Sequence, residues 1–594
     1  MKLSDYVVET IVKYGVKDVF MISGGGAMHL NDSVGKNSSL RYWCNHHEQA
    51  TAIGAEGYSR ATGKLAVAVV TTGPGGTNTI TGVIGQWLDS IPVLYISGQV
   101  KFETTIASCP ELGLRQLGDQ EINIIDIVRP ITKYAEMVKR PEDIRWMLER
   151  AIFTAMDGRR GPVWIDISLD IQAAEIDVDQ LKEFKPEPKE IGANLSKEIE
   201  ITLDWLQQAK RPLIVAGHGI RFAGAENLLL QVLDHTGIPV VTSFNGFDLL
   251  DSSHPSYIGR PGTIGTRAGN FAIQNAEVIL FLGTRNNIRQ ISYNYHQFAE
   301  QAKKIVVDID MTELTKPTLA PDLAVNGDVG LFLQQLLEQL HTIPVKRPEW
   351  REWMEWLVQR KERYPVVLAE YKNSARVQPY YFAQVLSECL DKDACVVTGN
   401  GTASIAYFQA GKVKKGQRVF WNSGCASMGF DFPAAIGACI GRGRKDVVCL
   451  AGDGSLQMNI QELATMAYHQ LPIKLFVFNN DGYSSIRQTQ DNLFSGHHVA
   501  CNSNSGVGLP NIVKVAEAYG LPAGIINCQD QMRQSIEKIL QQPGPFVCEV
   551  QLEEGYTFMP KVASRRDENG RIISTPIDDM YPFLSREEMD QNRR

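Results

Sequence analysis

Two short polar clusters end two apolar runs in the last third of the chain. The run 447–451 stops at Gly452-Asp453-Gly454-Ser455, and the run 473–478 stops at Asn479-Asn480. The spacing predicts a buried strand, a helix over 459–468 and a second buried strand. In such a βαβ unit both strands finish on one edge of a parallel sheet, which brings Asp453 and Asn480 together. A carboxylate, a side-chain amide and bare backbone carbonyls are hard oxygen ligands, suited to magnesium holding a diphosphate. Gly452 and Gly454 let the backbone approach such a ligand, and the helix that follows turns its free amides toward an anion. Turn residues at the ends of an ordinary crossover are the plain alternative. A lone GDG would leave that alternative standing, and the pairing of GDGS with NN weighs against it.

The segment resembles the thiamine diphosphate motif, in which GDG opens and NN closes a stretch of this length. The resemblance implies that Asp453, Asn480 and the main-chain oxygen of Gly482 bind magnesium, and that Gly452, Gly454 and Ser455 lie on the cofactor.

The chain that positions this unit has 594 residues, too many for one core, and three domains are expected. Its net charge of −8 is spread without long like-charge runs, so the footprint of a nucleic-acid or anionic-membrane binder is missing. The opening MKLSDYVVETIVKYG reads as an amphipathic helix and not a secretory leader, and no apolar stretch is long enough to span a bilayer. Ten cysteines stand singly, without a C-x-x-C pair. A reduced, cytoplasmic protein with cysteines as small core residues is the expectation.

Residues 1–185 alternate strand and helix signals, with apolar runs at 18–22, 66–70, 92–97 and 163–167. This predicts an α/β, doubly wound parallel sheet with ligands at the carboxyl ends of its strands. Those ends include Ser23-Gly24-Gly25-Gly26 and the TTGPGGTN run from Thr71 to Asn78. Between them His46-His47-Glu48 opens a helix. A glutamate in a first helical turn is ordinary dipole chemistry, but HHEQATAIGAEGYSRATGK followed by VVTTGPGGTNTITGV is similar to the pyrimidine-binding domain of the acetolactate synthase family. By that resemblance Glu48 bonds the aminopyrimidine ring and favours the imino tautomer that deprotonates the thiazolium carbon. A desolvated carboxyl suits that task. The same resemblance groups Gly26 and Gln120 with Glu48 as catalytic, and Pro74 and Asn78 as cofactor-binding.

A polar, proline-containing linker at 183–197 leads into a central α/β domain, residues 186–345, with strand signals at 212–216, 278–282 and 304–309. Gly217-His218-Gly219 after a strand is a weak nucleotide signal that a structural turn explains equally well. The family's central domain is resembled through Gly265-Thr266, Asn270-Phe271-Ala272, Gly283 and Val307-Asp308-Ile309-Asp310. Relatives often carry FAD there, beside an ARFDDR motif that reads Thr284-Arg285-Asn286-Asn287-Ile288-Arg289 here, with both arginines and neither acid. Two readings stay open: FAD held with Gly217, Arg285 and Asp310, or a spacer domain whose pocket has decayed.

A second linker at 342–349 precedes the third domain, residues 346–557, whose first strand, 394–398, ends at Gly399-Asn400-Gly401. The stretch from Ser423 to Phe430 is similar to the family's GxxGTMGFxxPAAIGA. It implies Met428 as the wedge beneath the cofactor, the Ala426 carbonyl as acceptor for its amino group, and Gly401 as a further cofactor contact. Residues 484–494 are expected to cover the site. The tail, 558–594, is expected to be solvated or to wrap a subunit, with a lid as the alternative.

In the family's acceptor pocket an arginine meets bulky apolar residues. Arg289 keeps the arginine and Gln120 a glutamine, whereas Asp119, Thr263 and Thr489 stand for phenylalanine, methionine and tryptophan, and Asn400 for a valine. Small polar walls favour a ligand that can pair with them. The expectation is a thiamine diphosphate- and Mg2+-dependent carboligase that decarboxylates a 2-oxoacid, pyruvate, and transfers the acyl carbanion to a polar carbonyl acceptor such as a keto-sugar. Acetolactate synthase proper, a decarboxylase or carbon–carbon lyase, a flavin-dependent 2-oxoacid oxidase and a non-catalytic partner of the same fold are the alternatives. The resemblance also implies a homodimer or homotetramer, with each site shared between the first domain of one chain and the third of another.

Overall fold

The computed structural model describes residues 1–187, 194–342, 348–566 and 571–594. Three six-stranded sheets organise it, and every pairing within them is parallel. The first holds β1 (Asp18–Met21), β2 (Arg41–Cys44), β3 (Ala66–Val70), β4 (Val93–Gln99), β5 (Tyr134–Val138) and β6 (Val163–Ser168), in the order β2-β1-β3-β4-β6-β5. The second holds β7 (Pro212–Ala216), β8 (Val240–Thr242), β9 (Tyr257–Gly259), β10 (Val278–Leu282), β11 (Lys303–Asp308) and β12 (Leu323–Asn326), in the order β12-β11-β10-β7-β8-β9. The third repeats the first pattern with β13 (Cys395–Thr398), β14 (Arg418–Phe420), β15 (Val447–Gly452), β16 (Ile473–Asn479), β17 (Ala523–Ile526) and β18 (Phe546–Gln551), as β14-β13-β15-β16-β18-β17.

Each sheet has a point near its middle where successive strands begin to be added on the opposite side, and the crevice there is where an open parallel sheet receives its ligand. These points lie between β1 and β3, between β7 and β10, and between β13 and β15. Their loops are Gly24 to Gly26 with Thr71 to Asn78, Gly217 with Gly283, and Gly399 to Gly401 with Gly452 to Ser455. Most of the polar strand ends singled out from sequence therefore sit at the three crevices, while Asn479-Asn480 and Asp310 end the adjoining strands β16 and β11.

The strands that sequence periodicity misses are β2, β5, β8, β9, β12, β14 and β17. All but β8 lie on a sheet edge, where one side of the strand is open and the continuous apolar run of a doubly covered strand is not required. β8 has three residues, too few for a periodic signal. The helix expected at 459–468 is also different. Helical turns begin at Asp453, and Asn459 breaks them with φ −140° and ψ 32° before Leu463–His469 resumes.

The first and third domains of one chain meet through the helices Glu48–Thr62 and Asp431–Gly441. A Cβ on Gly57 would stand 2.1 Å from the carbonyl oxygen of Ala434, and one on Gly437 would stand 1.8 Å from that of Gly54. These glycines let the two backbones touch.

The described parts of the tail pack onto the central domain rather than standing free in solvent. Lys561–Val562 pairs antiparallel with Met580–Tyr581, the Asn270 amide donates to the Ile577 carbonyl at 2.8 Å, and Asn592 is fully buried. The boundary expected at 345/346 and parts of both linkers lie outside the described residues. No helix among the described residues is long and apolar enough to cross a membrane.

Candidate active site

Gly452 pairs with Phe478 across β15 and β16, which sets Asp453 beside the Asn479-Asn480 turn. Asp453 Oδ2 accepts the backbone N–H groups of Asn480 and Gly482, each at 3.0 Å, and Oδ1 accepts that of Gly454 at 2.7 Å. The side chain is 2% exposed, and burial pushes its carboxyl up to about 6 against the pull of those three N–H groups. The Asn480 amide nitrogen donates to Tyr556 Oη at 2.7 Å and to Thr402 Oγ1 and Ser484 Oγ at 3.2 Å. Three hydroxyls thus fix which way the amide faces.

That orientation leaves Asn480 Oδ1 buried with no hydrogen-bond partner among the described residues. A carboxylate accepts about four hydrogen bonds, so Asp453 also keeps acceptor capacity. A cation between these oxygens and the Gly482 carbonyl would satisfy both groups, and an all-oxygen set carrying one carboxylate suits Mg2+ better than a softer metal. Among the described residues no cluster of three His, Cys, Asp or Glu offers a rival metal centre.

Two sequence expectations change here. The missing side chain at Gly454 makes room for the Tyr483 ring, since a Cβ there would lie 2.3 Å from it, and only Gly452 faces open space. The Ser455 hydroxyl is engaged between Asp431 Oδ2, to which it donates at 2.6 Å, and the Gly429 N–H, which it accepts at 2.8 Å. What Ser455 has left for a ligand is its backbone.

Met428 follows Ala426, a non-glycine residue at φ +52°, and precedes Gly429, whose carbonyl accepts the Asn459 amide at 2.8 Å. This brace ties the segment carrying Met428 to the crossover that begins at Asp453. Gly401 donates its N–H to Asn400 Oδ1 at 2.6 Å and starts the helix Thr402–Ala410. Arg289, Asn400 and Ala426 share the wall of one small pocket between the central and third domains. Thr263 joins them through its backbone: its N–H donates to the Arg289 carbonyl at 2.8 Å, and its own carbonyl accepts the Val562 N–H of the tail at 2.7 Å. Thr489 is apart from this group, exposed on the helix Ser484–Phe494.

At the first domain's crevice Glu48 is half-buried, and its Oε2 accepts the Asn78 amide at 3.0 Å. Pro74 and Asn78 are exposed on the same edge. The Gly26 carbonyl accepts the Gln172 amide at 2.7 Å, and the carbonyl of Gln120, itself at φ +59°, lies against Gly73. Asp119 and Gln120 stand on an exposed loop that Glu121 organises by accepting the backbone N–H groups of Ile106, Leu117 and Gly118 at 2.6, 2.9 and 3.3 Å. One chain therefore leaves this edge uncovered.

Residues that sequence reasoning missed include Thr402, Ser484, Tyr556 and Glu462. The buried Glu462 carboxylate accepts the His46 N–H and the Asn45 amide, each at 2.9 Å, just ahead of Glu48. Only the fold brings these segments together, and no local pattern marks them.

The central crevice opens into a cleft of about 280 Å³ lined by Arg159, Arg160, His218, Gly219, Arg285 and Asp308, among others. Asp310 is not on its wall: Oδ2 pairs with Arg159 at 2.8 Å and Oδ1 caps the turn at Thr312. Asp308 faces the cleft instead, with burial pushing its carboxyl up to about 6. Gly217 lies behind the wall, packed on the Gly283 backbone.

Three family models match this chain. They are the N-terminal TPP binding domain of thiamine pyrophosphate enzymes over residues 1–124, their central domain over 199–336 and their C-terminal TPP binding domain over 399–550. The chain is 32% identical over 573 residues to acetolactate synthase 2, chloroplastic, of Nicotiana tabacum, covering 95% of this chain and 84% of that protein. It is 30% identical over 577 residues to the acetolactate synthase large subunit of Pyropia yezoensis, covering 96% and 94%. The corresponding subunit of Cyanidium caldarium is 30% identical over 567 residues, covering 94% of each chain.

Proposed function

The chain belongs to the acetolactate synthase family of thiamine diphosphate-dependent enzymes, and from that premise we propose a Mg2+-dependent carboligase that decarboxylates pyruvate and adds the acyl unit to a polar ketone such as a keto-sugar. The observation that carries the metal and cofactor assignment is the buried, partnerless Asn480 Oδ1 beside Asp453. Asp453, Asn480 and the Gly482 carbonyl would hold Mg2+ with the diphosphate, Gly401 and Gly452 would leave room for it, and Met428 and Ala426 would contact the cofactor's rings. Bound thiamine diphosphate supplies a nucleophilic carbon and takes up the electron pair left when CO2 departs.

The rest is done by the chain's own groups. Glu48 would exchange a proton with the cofactor's aminopyrimidine through Oε1, with Oε2 accepting the Asn78 amide that orients it. Arg289 has no carboxylate partner among the described residues and lies beside Asn400 and Ala426, which suits it to the carboxylate of a 2-oxoacid. Asn400 adds a hydrogen-bonding wall where an apolar slot would be indifferent to a hydroxyl. Because one chain leaves Glu48, Pro74, Asn78, Asp119 and Gln120 on an open edge, a second subunit closes the site in this reading, as a homodimer or homotetramer.

Flavin is the second reading, for the central cleft. Three arginines, Arg159, Arg160 and Arg285, suit a diphosphate, and Asp308 suits a ribose hydroxyl. A visible spectrum of the purified protein tests it, and oxygen uptake with pyruvate would point to an oxidase. The carboligase itself is tested by incubation with thiamine diphosphate, Mg2+, pyruvate and a panel of aldehydes and ketones. Faster turnover with polar ketones than with a second pyruvate is expected. Acetolactate formed as fast as any other product would return the protein to the housekeeping reaction.

A further inference from the structure

A second cleft, of about 610 Å³, lies between the central and third domains and shares no lining residue with the flavin-side cleft. It is bounded by the edge strand β9, by residues 364–367 and by the end of the helix Thr402–Ala410. Ile258, Ala268, Val366 and Val367 give it an apolar wall.

Arg260 lines this cleft and is 3% exposed. Its Nη1 and Nη2 donate to the carbonyls of Phe408 and Gly411 at 2.5 and 2.8 Å, and its guanidinium lies 3.9 Å above the Phe247 ring. Nε is buried without a partner. No carboxylate pairs with Arg260 among the described residues; the neighbours that favour its charge are Tyr257 and Tyr407, and burial pushes its pKa down. Lys361 is an exposed residue at the mouth, its ammonium donating to the Tyr257 carbonyl at 3.0 Å and lying 5.0 Å from the centre of the Tyr257 ring. Of the two acids on the wall, Glu388 is paired with Lys412 and Arg533, and Asp251 with the N–H groups of Ser253 and Lys415.

Capping the helix Thr402–Ala410 accounts for part of Arg260, because a cation at a helix C-terminus is favourable. It leaves Nε idle and gives no reason for a second, repelling cation beside the first. A buried cation is unfavourable unless it is paired. We propose that this cleft binds a small organic anion, with Arg260 and Lys361 on a phosphate or carboxylate head and the Ile258, Val366 and Val367 wall on an apolar body. The helix that Arg260 caps begins with Thr402, which bonds Asn480, so the cleft is placed as an effector site for the cofactor end. That effector role rests on the cofactor reading above; the binding does not.

The test uses the full chain with thiamine diphosphate and Mg2+, titrated by calorimetry with phenyl phosphate and separately with benzoate, which distinguish the two head groups. Hydrogen exchange should slow in segments 251–268, 361–367 and 405–414. Lys361→Met should weaken binding about tenfold, as expected for one charge-assisted hydrogen bond, and Arg260→Leu should abolish it. If the Arg260 variant does not fold, the Lys361 variant decides. Unchanged exchange in those segments at millimolar probe, or equal affinity in Lys361→Met, would overturn the site. Binding that leaves thiamine diphosphate affinity unaltered would overturn the effector role, and binding measured without the cofactor separates that result from a failure of the cofactor reading.

Discussion

Glu462 accepts the backbone N–H of His46 at 2.9 Å, two residues ahead of Glu48, from the crossover that also carries Asp453. Its other oxygen takes the Asn45 amide. Glu462→Gln turns one acceptor into a donor facing a donor, and a buried polar mismatch costs about 1–3 kcal/mol. The expected result is a kcat about tenfold lower at saturating cofactor, with recovery in Glu462→Gln/Asn45→Asp, where donor and acceptor are exchanged. Steady-state kinetics of the two variants checks this.

Asn480→Ala removes the idle oxygen while leaving Tyr556, Thr402 and Ser484 bonded to one another. Affinity for thiamine diphosphate with Mg2+ should fall about a hundredfold, as losses in metal sites commonly do, with an unchanged circular dichroism spectrum. Calorimetric titration of the variant measures it.

Asn400→Val restores an apolar wall beside Arg289. The ratio of kcat/KM for a polar ketone to that for a second 2-oxoacid should drop about tenfold, the size of one lost hydrogen-bonding contact in a pocket. Competition between the two acceptors in one reaction reads the ratio directly.

Asp166 is fully buried in β6, where Oδ1 accepts the Ser97 hydroxyl at 2.5 Å, and burial raises its carboxyl to about 7 from 3.8. The folded chain therefore keeps this proton at pH values where the unfolded chain has lost it. The group's stabilising contribution is complete below about pH 4 and declines up to about pH 7, by on the order of 1.4 kcal/mol per pH unit. Urea unfolding midpoints of the parent minus those of Asp166→Asn should fall across that window and be flat above it.

The central βαβ unit was readable from sequence because both its strands are buried on two faces and leave uninterrupted apolar runs at 447–451 and 473–478. Edge strands such as β14 and β17 were not, since half of each faces away from its neighbours. The Asp453–Asn480 approach follows from topology alone. The hydroxyls of Thr402, Ser484 and Tyr556 do not, because their meeting depends on segments up to 154 residues apart. The Ser455 hydroxyl and the Asp310 carboxylate are engaged by Asp431 and Arg159, and a Cβ on Gly454 would meet Tyr483, so what Ser455 and Gly454 can offer a ligand is their backbone. A residue type at a strand end shows what it can bind; only packing shows what already binds it.

In the proposed enzyme Glu48 of one chain serves the metal site of another. Glu48→Gln and Asp453→Ala should each be inactive, and unfolding and refolding them together gives dimers with one intact site. Mixed in equal amounts, they should regain about a quarter of the parent's rate of CO2 release from pyruvate, from the statistics of two-fold association. No recovery in a mixture shown to contain hybrid dimers would contradict the shared site and the function built on it.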